Sequence, residues 1–162
     1  MKKRPDVETD NDFQEKDWRA ERVMWFLLLL FVLAGLIGVF GRGGISKAKK
    51  VSPDQKMEVQ YQRFLRYHTK DRLDIFLQDL PADSTFSIEI DKKYVNNVQV
   101  ESIHPAPEKT LITSNGVAYF FRNGNAHQAE IIFYISPDKL GNVKTALTYH
   151  NQSVEISQFI YP

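Results

Sequence analysis

Residues 23–40 read VMWFLLLLFVLAGLIGVF, a run without charged side chains that includes thirteen Leu, Ile, Val or Phe residues. A helix of this length measures ~27 Å at a rise of about 1.5 Å per residue, close to the hydrocarbon thickness of a bilayer. Its apolar side chains favour membrane insertion by roughly 4–8 kcal/mol on an insertion scale. Arg22 precedes the run and Arg42 follows it. The sequence therefore predicts a single-pass transmembrane α-helix that places the chain in a lipid bilayer.

A cleaved signal peptide is the alternative interpretation of this run. A signal peptide has a short basic start and an apolar core of about 7–15 residues. Here the run is longer, and the tail before it carries seven acidic residues. A permanent membrane anchor is therefore favoured over a cleaved segment.

The sequence around the apolar run divides the chain into four segments. Residues 1–11 are polar and aperiodic, which predicts a disordered tail. Asp12 is a favourable N-cap, so one continuous helix is expected over residues 12–40. Residues 41–55 are rich in glycine and lysine and predict a linker. Residues 56–162 are then enough for one globular domain with its own core.

Two features close to the membrane each have two interpretations. Ala34 and Gly38 are small residues four apart, a spacing that lets two helices pack closely in lipid, although glycine is also common in membrane helices. The linker carries four basic residues that could hold lipid phosphates, Arg42, Lys47, Lys49 and Lys50. The alternative, which is favoured, is that these residues belong to a solvated spacer beside the membrane.

After residue 56, apolar and polar residues alternate in short runs, which is the pattern of half-buried β-strands. Residues 53–67 fit an edge strand or a short helix, and the strand is favoured. No amphipathic helix separates the runs. Seven to eight closely spaced strands predict an all-β, antiparallel β-sandwich of the Ig-like kind. The inward positions of the clearest runs are Leu73, Ile75, Leu77, Phe86, Ile88, Ile90, Ile131, Phe133 and Ile135.

Turn-forming residues stand between the predicted strands. Asn115-Gly116 and Asn123-Gly124 are pairs that tolerate the positive φ of tight turns. Residues 150–153 are expected to form the tip of a final hairpin. These breaks support a series of short antiparallel strands.

The composition of the chain and the absence of known catalytic motifs argue against several classes of function. The chain has no cysteine, which excludes disulfides, thiolate metal sites and thiol catalysis. A net charge of +1 gives no electrostatic support to nucleic-acid binding. No phosphate-binding loop or hydrolase motif is present, and the four histidines lack the spacing of metal ligands. The sequence therefore predicts no catalytic residue, cofactor or metal site, and a protein that is not an enzyme.

Four large apolar residues break the expected pattern. Phe76, Phe120, Ile132 and Tyr134 fall on positions that the alternation assigns to the outer faces of their strands. Buried aromatic surface dominates interface energetics, so this group predicts a partner-binding surface. The alternative is that the sheet is covered on both faces within the domain.

These observations rank the possible functions. A short polar tail, one helix and a β-domain favour a membrane protein with a cytoplasmic N-terminus and an extracytoplasmic C-terminal domain. The leading hypothesis is a membrane-anchored, non-enzymatic accessory protein whose β-sandwich binds another membrane protein or a second copy of itself. The alternative is a membrane-tethered module that binds a small molecule, a glycan or a peptide. The absence of tryptophan after residue 25 weakens the glycan hypothesis.

Overall fold

The computed structural model describes residues 11–36, 46–124 and 126–162. These residues form one long helix, a short helix and eleven strands. The helices are α1 (Asn11–Leu36) and α2 (Lys92–Val95). The strands are β1 (Lys47–Val51), β2 (Met57–Gln62), β3 (Phe64–Arg66), β4 (Asp71–Leu77), β5 (Thr85–Asp91), β6 (Val98–His104), β7 (Lys109–Ile112), β8 (Gly116–Arg122), β9 (Ala129–Pro137), β10 (Gly141–Tyr149) and β11 (Gln152–Tyr161).

The helix α1 covers most of the predicted helix and begins one residue before the predicted start. Among the described helices, none combines the length and the apolar content that a membrane crossing requires. Residues 37–40, the last four of the predicted span, lie outside the described residues, as do residues 1–10 of the predicted tail. At the other end of the apolar run, the Arg22 guanidinium lies 4.3 Å from the centre of the Trp18 ring.

The strands form two sheets. One sheet has five strands in the order β1-β2-β4-β9-β6, and the other has six in the order β3-β11-β10-β5-β8-β7. The predicted β-sandwich is confirmed, whereas its Ig-like subtype stays a prediction. The predicted strand number was wrong, because short or edge strands carry weak alternation. One pair, β3 with β11, is parallel, so the arrangement is not purely antiparallel.

The core lies between the two sheets and is made by the alternation that the sequence shows. Leu73, Ile75 and Leu77 of β4 are all buried, and the inward residues of β9 lie beside them. Tyr119 of the second sheet meets Phe133 of the first edge to face, with ring centres 5.3 Å apart. Apolar burial of this kind is the main stabilising term of a sandwich.

The domain begins earlier than the sequence predicts. The segment 41–55 was predicted to be a linker, but its residues Lys47–Val51 form β1 and pair with β2 along their whole length. The prediction was wrong there because β1 is a lysine-rich edge strand, and charged edge strands look like solvated spacers. The strand interpretation of residues 53–67 is confirmed by β2 and β3.

The predicted hairpin at residues 150–153 is confirmed, whereas the turn predicted at Asn115-Gly116 differs in its backbone conformation. His150 and Asn151 have φ of 44° and 63° and connect β10 to β11, as expected for the final hairpin. Gly116 does not adopt a positive φ, and it lies inside β8. A Cβ at this position would lie 1.9 Å from the Ile90 carbonyl oxygen, so glycine is needed for close backbone approach.

Candidate functional site

The structure divides the predicted partner-binding residues between two surfaces. Phe76, Ile132 and Tyr134 share the outward side of the five-stranded sheet, because each alternates with buried residues of β4 or β9. Phe120 lies on the other sheet, opposite Ser87 of β5 and Lys109 of β7. The prediction of one four-residue group was therefore wrong. Alternation assigns a side of a strand but does not say which sheet the strand joins.

We call the outward side of the five-stranded sheet the five-stranded outer face. Its members come from β1, β2, β4, β9 and β6 and are brought together by the strand register. They are Lys47, Lys49, Val51, Glu58, Gln60, Gln62, Arg72, Asp74, Phe76, Glu130, Ile132, Tyr134, Ser136, Gln99, Ser102 and His104.

Apolar and charged side chains alternate across this face. Tyr134 is 41% exposed and lies opposite Arg72, whereas Phe76 and Ile132 are half-buried. Ile132 lies opposite Asp74. Phe76 lies between Glu58 of β2 and Glu130 of β9, its two cross-strand neighbours. This mixture resembles the composition of protein interfaces, where aromatic residues are surrounded by polar groups.

The predicted helix-packing pair is described only in part. Ala34 lies on α1 and is half-buried. Gly38 lies outside the described residues. The pairing of two such helices stays a prediction.

A pocket of about 250 Å³ opens at one corner of the five-stranded outer face. We call it the corner pocket. Its lining comes from three neighbouring strands, β1, β2 and β4. The residues that line it are Lys47, Ala48, Lys49, Gln60, Tyr61, Gln62, Arg72 and Asp74.

Asp74 is the most unusual residue of the corner pocket. It is only 6% exposed although it belongs to the outward side of its strand. Its Oδ2 accepts an ion-pair contact from Arg72 Nε at 3.1 Å. Its buried Oδ1 has no hydrogen-bond partner in the part of the chain that the structure describes. An unpaired buried acceptor costs about 1–3 kcal/mol, so this oxygen destabilises the folded chain.

Burial raises the pKa of Asp74 above its ordinary value, and the neighbouring carboxylate of Glu130 adds to that effect. The positive charge of Arg72 acts in the opposite direction and only partly offsets the desolvation. The carboxylate is therefore held in a place where its charged form is disfavoured.

Gln62 brings a second unpaired oxygen to the same pocket. Its Oε1 is buried and, within residues 11–36, 46–124 and 126–162, accepts no hydrogen bond. Lys47 lies directly opposite Gln62 on β1, and Lys49 lies opposite Gln60. Two residues of the pocket lining therefore carry a buried, unpaired oxygen, and two exposed lysines belong to the same lining.

The neighbouring groups on β1 and β2 are already paired. Lys49 Nζ contacts Glu58 Oε2 at 2.8 Å, and Gln60 Nε2 donates to Glu58 Oε1 at 2.8 Å. These contacts, with the bond from Lys49 as the largest effect, lower the pKa of Glu58. Glu58 and Asp74 therefore differ: both carboxylate oxygens of Glu58 have a partner, whereas Asp74 Oδ1 has none among the described residues.

The hairpin that carries β1 is fixed by its own turn. Ser52 is buried, and its Oγ accepts from the Met57 amide at 3.0 Å and donates to Asp54 Oδ1 at 2.5 Å. The hydrogen bond from Ser52 lowers the pKa of Asp54. This turn sets the register that places the β1 lysines over the glutamines of β2.

A core hydrogen-bond network lies on the inner side of the same sheet. The buried Tyr94 hydroxyl of α2 donates to Gln158 Oε1 at 2.8 Å, and burial raises the pKa of this tyrosine. Gln158 Nε2 donates in turn to the backbone oxygen of Gln62 at 2.9 Å. The network ties α2, β11 and β2 together and holds Gln62 in place.

Metal binding finds no support in the described part of the chain, where no cluster of three or more potential ligand side chains is present. His104 lies at the edge of the five-stranded outer face, opposite Ile132. His68, which follows β3, has its Nδ1 3.6 Å from Oδ1 of Asp138, which follows β9.

Sequence reasoning missed the corner pocket. Nothing in the sequence singled out Asp74 or Gln62, because polar residues that alternate with apolar ones in a strand are usually solvated. The signal that was needed is the register of β1 over β2, which was hidden inside the predicted linker.

Comparisons with known proteins do not identify a family. No family model and no curated protein matches the sequence. Among solved structures, the chain resembles domains 4 and 5 of the S-layer protein SbsC, with 10% sequence identity and a TM-score of 0.41. The match covers 72% of this chain and 54% of that chain, so this chain spans about half of that structure. A similarity at this level carries no argument about function.

Proposed function

We propose that this chain is a membrane-anchored, non-enzymatic protein that presents its β-sandwich to a protein partner at the membrane surface. The surface of α1 is the observation that carries the proposal. From Val23 to Leu36 its large apolar side chains are 48–78% exposed. A helix that is apolar all round is stable when it is surrounded by lipid or by a protein core, and unfavourable in water.

Lipid is the occupant that fits this surface best. The apolar sequence continues through residue 40, which gives a length of ~27 Å for a continuous helix. At its start, Arg22 stacks on Trp18, a pairing suited to the headgroup region of a bilayer. We propose that the N-terminus is cytoplasmic and that the β-sandwich lies on the other side.

The five-stranded outer face is the proposed surface for the partner. It presents Phe76, Ile132 and Tyr134 among charged side chains, whereas Phe120 lies on the opposite sheet. The partner is another membrane protein or a second copy of this chain. Aromatic residues at the centre of such a face commonly supply most of the binding energy.

Membrane anchoring is tested with Leu30→Arg combined with Leu33→Arg. Each arginine near the helix centre costs about 2.5–3.5 kcal/mol on the insertion scale, so the pair offsets the roughly 4–8 kcal/mol that favour insertion. We expect the wild-type chain to float with liposomes and to resist carbonate extraction, and the double variant to do neither. Leu30→Ile with Leu33→Ile is the matched control. Release of the intact wild-type chain by carbonate would contradict the proposal.

Partner binding is tested with Phe76→Ser combined with Tyr134→Ser in the full chain, purified in a mild detergent. We expect the double variant to lose the proteins that co-purify with the wild type. Phe120→Ser is the control, because it makes the same change on the other sheet. Two differently tagged copies of the chain show whether the partner is a second copy. Equal retention by the double variant and the wild type would exclude this face.

A further inference from the structure

The strands at the four sheet edges differ in how they are protected against pairing with a further strand. β1 carries lysines at three of its five positions. β6 has a register shift between Val100 and Ser102, and β3 is only three residues long. Charges, bulges and short length are common means of blocking an open edge. β7 pairs with β8 without a register shift, and Lys109 is its only charged residue. It is therefore the least protected edge.

Both ends of β7 are held in place by contacts within the domain. At the hairpin end, the Thr113 amide donates to the Gly116 carbonyl at 2.8 Å. Thr113 Oγ1 also donates to Glu89 Oε1 at 2.6 Å. At the other end, Arg122 Nε contacts Glu108 Oε1 at 2.9 Å. The edge is therefore extended and ordered before a partner strand arrives.

The backbone of β7 presents unpaired groups to the outside. Hydrogen bonds alternate along an antiparallel pair, so every second residue of an edge strand points its N–H and C=O away from its neighbour. Because Thr113 bonds to Gly116, these residues are Thr110 and Ile112. Among the described residues, no strand lies beyond β7. An extended strand is the partner that satisfies such groups.

The side chains of β7 favour an apolar partner. Leu111 is 40% exposed, and Ile112 is 88% exposed. Ile112 lies opposite Val117, which packs against the core, but is itself left uncovered. Apolar side chains on an open edge favour association with another strand.

We propose that β7 pairs antiparallel with β7 of a second copy of this chain, with Leu111 of each copy facing the other. Thr110 then lies opposite Ile112 of the other copy, and such a pair exchanges two N–H···O bonds. The two Leu111 side chains meet directly, and the two Ile112 side chains are diagonal neighbours. The edge is therefore complementary to itself in both backbone and side chains.

The charges support this register over its neighbours. Lys109 lies opposite Thr113 of the other copy, so no like charges meet. A shift by two residues in one direction places Lys109 opposite Leu111. A shift in the other direction places Thr110 opposite Ser114 of the hairpin turn, which shortens the pairing.

The inference specifies the second-copy alternative of the proposed function, on a surface other than the five-stranded outer face. Two copies anchored in one bilayer have a raised local concentration, which strengthens a short interface. Only this last step rests on the proposed function.

The register is tested by disulfide cross-linking of the full chain, in mild detergent and in liposomes. The chain has no cysteine, so one introduced thiol reports on one position. At Leu111→Cys the two Cα atoms lie about 4.5 Å apart in the proposed pair, within the range of a disulfide. Lys109→Cys is the matched control, because its two copies are more than about 13 Å apart at about 3.3 Å per residue. We expect efficient cross-linking of Leu111→Cys alone. Equal cross-linking of both variants, or of neither, would overturn the proposal.

The backbone pairing is tested with Thr110→Pro. Proline removes an N–H that points away from β8, so no hydrogen bond within the chain is lost. We expect self-association, measured by light scattering on serial dilution, to weaken at least tenfold. Thr110→Ala keeps the N–H and is the control. An unchanged dimer in Thr110→Pro would refute the pairing, and a monomeric wild type would leave the edge to a strand of a different protein.

Failure of this inference can be told apart from failure of the proposed function. Phe76→Ser with Tyr134→Ser is expected to leave the cross-linking of Leu111→Cys unchanged, because those residues lie on the other sheet. Loss of cross-linking in that double variant would assign self-association to the five-stranded outer face and contradict the role of β7. Flotation with liposomes reports on the anchor independently of either surface.

Discussion

Two groups of buried polar side chains lie on the two sides of the five-stranded sheet, and they differ in whether their hydrogen bonds are satisfied. On the inner side, Tyr94 donates to Gln158, which donates to the Gln62 backbone. On the outer side, Asp74 Oδ1 and Gln62 Oε1 have no partner within the described residues. Gln62 takes part on both sides, with its backbone oxygen in the inner network and its side chain on the outer face. The difference therefore lies between the two sides of the sheet and not between two strands.

The contrast separates buried polar groups whose hydrogen bonds hold the fold together from buried polar groups that have no hydrogen-bond partner among the described residues. A satisfied buried network rigidifies the core, and removing one member leaves the others unpaired. A buried group that is already unpaired has little native bonding to lose. Mutations on the two sides should therefore change stability in opposite directions.

The largest expected effect is that of Gln158→Ala on the inner side. The change leaves the Tyr94 hydroxyl and the Gln62 backbone oxygen unpaired and opens a cavity, so we expect a loss of about 3 kcal/mol of unfolding free energy. Thermal and urea unfolding of the full chain in mild detergent measure it. Ser157→Ala, an exposed change on the same strand, is the control and should stay within about 0.5 kcal/mol. A loss no larger than that of the control would mean that the network does not hold the fold.

A smaller loss is expected for Tyr94→Phe. Only the hydroxyl is removed, and Gln158 Oε1 is left unpaired in the core, which should cost about 1–2 kcal/mol. Tyr134→Phe removes a hydroxyl from a residue that is 41% exposed and serves as the matched control. Equal stability of the two variants would show that the inner hydroxyl is not a structural contact.

The sequence predicted the sandwich but not all of its strands. Strands with one buried side, such as β4 and β9, carry a clear alternation of apolar and polar residues. β7 lies at a sheet edge, and its four residues are all exposed, so no alternation marks it. β1 is obscured in the same way by its lysines. Edge strands are specified by their pairing with a neighbour, and that pairing is not visible in a periodic pattern.

The candidate site was less predictable than the fold. The alternation correctly gave the outward positions of Phe76, Ile132 and Tyr134, but it could not show that Phe120 belongs to the other sheet. It also could not show that Asp74 is buried, because alternation within one strand carries no information on what lies around an outward residue. Sheet membership and register are long-range properties, and they decide which outward residues become neighbours.

The smallest expected effect has the opposite sign and belongs to Asp74→Asn on the outer side. Burial raises the pKa of Asp74, so between its ordinary value of 3.8 and the raised folded-state pKa the folded chain holds a proton that the unfolded chain has lost. The contribution of this residue to the unfolding free energy therefore falls as the pH rises through that window. Asparagine does not titrate. We expect the variant to gain up to about 1 kcal/mol relative to the wild type at pH 7, and the gain to disappear toward pH 4.

The difference in unfolding free energy between the two proteins at each pH reports on Asp74 alone, because all other acids titrate in both. Glu58 is one of these acids, and its lowered pKa makes the unfolding free energy rise with pH instead of fall. Unfolding of the wild type and of Asp74→Asn is therefore measured in parallel at pH 4, 5, 6 and 7. A variant that is less stable than the wild type at pH 7 would show that the contact between Arg72 and Asp74 outweighs the desolvation of the carboxylate. Asp74 would then be a structural group like Gln158, and the contrast between the two sides of the sheet would no longer hold.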